Sequence, residues 1–95
     1  MAIMIEMKHA MITSIKRSTG DHYEGDWRLQ HLNNPYVASL YQSEKKCPGK
    51  HFIKFVHEVD DNLYLNTSFG DVEYNADHSG YTLKTQSSIY EVQYL

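Results

Sequence analysis

The chain has 95 residues, with 41% hydrophobic and 22% charged residues and a formal net charge of -3. That length fits one domain, 1–95, with a single core and no room for a deep enclosed cofactor cavity. The acidic balance disfavours broad capture of double-stranded nucleic acid, and the single Cys47 excludes both an internal disulfide and a cysteine-only zinc site.

The opening segment, MAIMIEMKHAM, carries Glu6, Lys8 and His9 and lacks an uninterrupted apolar run or a small-residue cleavage site, so it reads as neither a signal peptide nor a membrane span. Its methionines Met1, Met4 and Met7 leave the translation start open. One parity holds Ile3, Ile5, Met7 and Met11, the other Glu6 and Lys8, and β-branched Ile12, Thr13 and Ile15 follow. An extended segment from about Ile3 to Arg17 is expected, with a bulge near His9 or Ala10. The sequence Ser18-Thr19-Gly20-Asp21 then supplies a turn.

From His22 to Leu32 the pattern reads as a half-buried strand, with Tyr23, Trp27 and Leu29 facing the core and His22, Glu24, Asp26 and Arg28 facing out. Asn33 to Pro35 closes it. The region 35–45 fits a short helix entered through Asn34 and Pro35, and it alternates well enough to be a strand; both readings stand. Beyond the turn at Cys47 to Lys50, HFIKFVHEV is a strand, Asp60 to Asn62 a tight hairpin loop, and LYLNTSF its returning partner, with Leu63, Leu65, Thr67 and Phe69 on one side. Further strands are expected at VEYN, YTLKTQ and IYEVQYL, separated by turns at Gly70-Asp71, at Ala76 to Gly80 and at Ser87-Ser88. The fold class is therefore mainly β: a small antiparallel β-sandwich or partly open barrel of about seven to eight short strands, with at most one short helix near 35–45. The similar cadences around Lys16–Glu24 and Lys84–Glu91 differ in spacing, and their flanks do not align, which fits two hairpins made by the same local rules.

No residue pattern specifies catalysis. The six histidines show no ligand spacing, and His51 and His57 would sit about 20 Å apart on one strand. Cys47 beside Lys45, Lys46, Lys50 and His51 has the surroundings of an acidified thiol but no orienting third group, so a solvated turn is the plainer reading. The Asp77-His78-Ser79 run cannot form a triad from adjacent residues. Neither a metal nor another cofactor is expected, and the chain reads as non-enzymatic.

Eight tyrosines are the most unusual feature. They point to a contact surface, with Tyr64, Tyr90 and Tyr94 as its candidates. The polar Glu24, Asp26 and Arg28 form a second candidate surface, and Lys45, Lys46, Lys50 and His51 a third, suited to an anion. The expected function is docking on a macromolecular partner, most simply a protein. Inhibitors, immunity factors and anti-defence accessory proteins of phages or mobile elements are of this type. The alternative is binding or sequestering a small nucleotide-like anion. An intracellular, cytoplasmic setting fits the lone cysteine, and an unpaired edge strand would favour self-association.

Overall fold

The computed structural model describes residues 2–95. It contains β1 (Ala2–Arg17), a 3-10 turn η1 (Trp27–His31), β2 (Tyr36–Ser43), β3 (His51–His57), β4 (Tyr64–Asn66), β5 (Gly70–Tyr74), β6 (Gly80–Thr85) and β7 (Ser88–Tyr94). All strand pairs are antiparallel, in the order β2-β1-β7-β6-β5-β3-β4. A further β2–β3 ladder closes six of the strands into a ring, and β4 shares with β5 the edge of β3 that faces away from β2, β5 meeting His51 and β4 meeting Lys54–Val56.

Closure depends on β1 serving two neighbours. Its first half, Ala2 to Ala10, pairs with β2, and its second half, Ala10 to Arg17, pairs with β7. The register slips between Met4 and Glu6 on the β2 side and between Ile12 and Ser14 on the β7 side. Such bulges add the local bend and twist that a strand needs to turn a barrel corner. The sequence placed one bulge near His9 or Ala10. Ala10 is instead where the strand passes from one partner to the other, in register with both Tyr36 and Tyr94. At the opposite side the ring narrows to a seam, with His51 of β3 facing Gly70 of β5.

The interior alternates along every strand. Ala10, Ile12 and Ile15 of β1, Tyr36, Ala38 and Leu40 of β2, and Ile53 and Phe55 of β3 are buried. Tyr81, Leu83, Tyr90 and Val92 close the other side, with Leu65 plugging in from β4. Residues 36–43 are thus a strand, because ladders on both sides, to β1 and β3, satisfy backbone groups that a helix would have withdrawn.

The segment 22–32 departs from the strand expected of its parity. The Asp26 carboxylate accepts from the Arg28 backbone N–H at 2.9 Å and from Arg28 Nε at 3.0 Å. These local bonds cap a 3-10 turn instead of leaving the backbone free for a ladder. Tyr23 does face the core, where its hydroxyl lies 2.7 Å from Ser88 Oγ. Trp27, by contrast, is 62% exposed, and His31 takes the buried position. The returning strand after the Asp60–Leu63 turn is also shorter than expected. It ends at Asn66, and Thr67 instead clamps Ile53, accepting from its N–H at 2.9 Å and donating its own N–H to its carbonyl at 3.0 Å. No helix among the described residues is long and apolar enough to cross a membrane.

Candidate functional site

The ring has two chemically different outer faces. On β5, β6 and β7 the outward positions run Asp71–Lys84–Ile89 and Glu73–Thr82–Glu91 across the strands, with Gln93 beyond. This face is charged and polar. On β1, β2, β3 and β4 the outward rows are His9–Val37–Val56–Tyr64, Met7–Ser39–Lys54–Asn66 and Met4–Tyr41–Phe52. Most large apolar side chains left in solvent lie here or along the adjoining start of β1. Ile3, Met4, Ile5 and Met7 are between 44% and 61% exposed, and Val56 and Tyr64 are exposed as well.

The first half of β1 also keeps one backbone edge open. The β7 ladder stops at Tyr94–Ala10, and the last bond on that side runs from Leu95 N–H to the His9 carbonyl at 3.0 Å. What holds the arm across the barrel mouth is Glu6. Its carboxylate accepts from the Tyr74 hydroxyl at 3.0 Å and from the Tyr94 hydroxyl at 2.8 Å, while Lys8 Nζ sits 4.3 Å above the Tyr94 ring. Burial and the neighbouring Glu6 charge push the Tyr74 phenol up to about 12 and raise Tyr94 as well, so both remain donors at neutral pH. Behind them lies Tyr81, its ring 5.6 Å from Tyr74 and 6.0 Å from Tyr94 and its pKa raised chiefly by burial. The Tyr81 hydroxyl has no hydrogen-bond partner among the described residues. A buried donor without a partner costs about 1–3 kcal/mol. Tyr81→Phe is therefore expected to raise Tm by several degrees in a thermal melt; a fall of more than 2 °C would mean that the hydroxyl is bonded in solution.

The residues singled out from the sequence separate clearly. Tyr64 stands exposed on the apolar face. Tyr90 is a correction: it is only 3% exposed and belongs to the core, because β7 turns its Tyr90–Val92 parity inward. Tyr94, partly buried, serves the Glu6 contact. Glu24 is exposed. Asp26 and Arg28 are tied to each other, and Arg28 also donates to Ser88 Oγ at 2.9 Å and stacks 4.3 Å from the Tyr23 ring. The Arg28 hydrogen bonds hold the Asp26 carboxyl down at about 2 and raise the guanidinium further. That pair anchors η1 to the barrel.

The cationic turn divides as well. Lys50 Nζ is 2.8 Å from Asp71 Oδ1, and His51 occupies the seam opposite Gly70. Lys45 and Lys46, which make no ion pair among the described residues, line a cleft of about 450 Å³ with Ala2, Ser43, Phe52 and Phe69. Phe52 and Phe69 meet edge to face at 5.3 Å, and Tyr41 stacks on the other side of Phe52 at 5.1 Å with an 8° interplanar angle. Lys54 completes the group, 5.4 Å from the centre of Tyr41. Sequence reading found the lysines but neither these rings nor the β1 arm. The signal for the arm is the apolar run that ends in Ile3-Met4-Ile5 before Glu6, which puts apolar side chains on both faces of one strand.

Among the described residues no group of three His, Cys, Asp or Glu side chains is placed to hold a metal ion. Comparison with protein-family models, with characterised proteins and with solved structures finds no match to this chain.

Proposed function

We propose that the chain is a non-enzymatic binding protein that docks on a protein partner through the outer face of β1–β4 and the open edge of β1. The observation that carries this reading is the segregation of exposed apolar side chains. Met4, Met7, Val56 and Tyr64 share one side of the ring, with Ile3 and Ile5 exposed on the adjoining start of β1, while β5–β7 present mainly charged and polar side chains to solvent, Tyr74 excepted. Scattered surface apolar residues need no explanation, but here two apolar rows, Val37–Val56–Tyr64 and Met4–Tyr41–Phe52, flank the polar Ser39–Lys54–Asn66 row, and apolar side chains gathered on one face point to an interaction site. Methionine and tyrosine are the residue types enriched at such contacts, and an open strand edge adds main-chain hydrogen bonds to a partner's extended segment. Inhibitors, immunity factors and anti-defence accessory proteins act this way, within the cell in keeping with the lone reduced Cys47.

The test is capture from cell lysate by wild type and two variants. The Met7→Glu/Tyr64→Ala double variant alters the apolar face, and Gln93→Lys alters the polar one. A partner retained by wild type and Gln93→Lys but weakened about 100-fold or more by the double variant supports the reading. Equal retention by all three overturns it. Light scattering on the same proteins separates self-association: a dimer abolished by Ile5→Lys would assign the β1 edge to a second copy of the chain.

A further inference from the structure

We propose that the cleft between the 44–50 turn and the Tyr41–Phe52–Phe69 rings binds a nucleobase carrying a phosphate. Three independent features converge there. The first is aromatic: Phe52 of β3 and Phe69 of the segment entering β5 line the cleft and meet edge to face, and Tyr41 of β2 stacks on Phe52. The second is charge. Lys45 and Lys46 line the same cleft and have no acidic partner among the described residues, whereas the neighbouring Lys50 is neutralised by Asp71. The third is room, since the shallow, open cleft of about 450 Å³ can seat a base beside Phe52 and Phe69.

Each alternative ligand leaves part of the site unused. A simple phosphate would engage the lysines as point charges and ignore the rings. An apolar ligand would use Phe52 and Phe69 and leave two ammonium groups at its border. A base with its phosphate uses both, the base packing against Phe69 and the border of Phe52 and the charge meeting Lys45 and Lys46. The net charge of -3 does not oppose this, because the contact is local and one or two phosphates long rather than a tract along a duplex. Free nucleotides and the bases of a single strand share this chemistry. The cleft adjoins the docking face at Met4–Tyr41–Phe52, but its lysines lie outside that face.

Titration calorimetry at low salt tests the assignment with ATP, an eight-nucleotide oligothymidylate, adenosine and inorganic phosphate. ATP or the oligonucleotide should bind, and Lys45→Glu/Lys46→Glu should weaken that binding at least tenfold while leaving the thermal melt unchanged. Phe69→Ala should weaken it similarly. Binding of ATP alone assigns a free nucleotide, and binding of the oligonucleotide alone assigns a single strand. Adenosine or inorganic phosphate binding as tightly as ATP, an unaffected double-lysine variant, or no binding of either nucleotide probe at millimolar concentration would each overturn the proposal. The lysine variant should still capture the protein partner, so failure here is distinguishable from failure of the docking reading.

Discussion

Gly80→Ala is expected to lower Tm by at least about 12 °C, and Gly70→Ala to come close to it. A Cβ on Gly80 would lie 1.9 Å from the Val92 carbonyl oxygen and 2.9 Å from its carbon, and one on Gly70 would lie 2.2 Å from the Lys84 carbonyl oxygen. Both obstacles are backbone atoms inside ladders, so relief requires moving a strand rather than turning a side chain. Gly80 opens β6 opposite Gln93, where Tyr94 N–H also bonds the Ser79 carbonyl at 2.8 Å. Gly70 is paired with Thr85 on one side and with His51 on the other, the latter being the residue pair that closes β3 against β5. Overpacking a yielding core costs about 1–3 kcal/mol, and a rigid backbone obstacle should exceed that. A loss of about 3 kcal/mol or more, against a total of roughly 5–15 for a small domain, lowers Tm by at least about 12 °C. Circular dichroism melts measure this directly, and a Tm within 3 °C of wild type would refute it. Hydrogen exchange distinguishes the two sites. Gly70→Ala should expose amides joining β5 to β6 first, and Gly80→Ala those joining β6 to β7.

What could be read from the sequence was set by how local the determining interaction is. The extended first segment, the Gly20 turn, which takes φ 96°, and the strands at 51–57, 80–85 and 88–94 follow from neighbours a few positions apart, whereas the LYLNTSF strand stops at Asn66 and the turn expected at Gly70-Asp71 is the start of β5. Closure of the ring does not, because it depends on β1 changing partners at Ala10 and on a glycine allowing Lys84 to approach. Parity failed at 22–32, where the alternation of Tyr23, Trp27 and Leu29 fits a strand but Asp26 and Arg28 settle the backbone by local hydrogen bonds. It failed differently at Tyr90. Period two correctly grouped Tyr90 with Val92 and Tyr94, yet the sign of the face, inward or outward, is a property of the assembled barrel. The same division runs through the candidate site. Tyr64, Lys45 and Lys46 were visible as residue types, whereas Tyr41, Phe52 and Phe69 become a group only once β2 and β3 are paired and Phe69 is brought back beside them.

Acidification below pH 6.5 is expected to destabilise the fold through His31. Its side chain is 1% exposed, its Nδ1 is hydrogen-bonded to the Tyr36 hydroxyl, and the Trp27 ring meets it edge-on at 6.0 Å. On the far side of Tyr36 lies the His57 ring, at 5.6 Å, whose Nδ1 is occupied by the N–H groups of Val59 and Asp60. No carboxylate is hydrogen-bonded to His31 among the described residues, and desolvation lowers its pKa from the usual 6.5. The sign follows from proton binding. Around pH 6.5 the unfolded chain takes up a proton at this position that the folded chain refuses. Stability from this residue is therefore complete above pH 6.5 and falls as the pH drops below it, by up to about 1.4 kcal/mol per pH unit until the folded imidazole itself protonates. Urea unfolding at pH 7.5, 6.5, 5.5 and 5.0 gives the slope, and His31→Gln, which retains a hydrogen-bonding group for Tyr36, isolates the His31 share. The difference between wild type and variant should be flat from pH 7.5 to 6.5 and should change below it. A difference that stays constant to pH 5.0 would show that His31 protonates equally in both states. Since η1 touches both β1 and β4, charging His31 is expected to loosen the η1 contacts with those strands. Hydrogen exchange should then show the η1 amides losing protection at a higher pH than the one at which global unfolding begins.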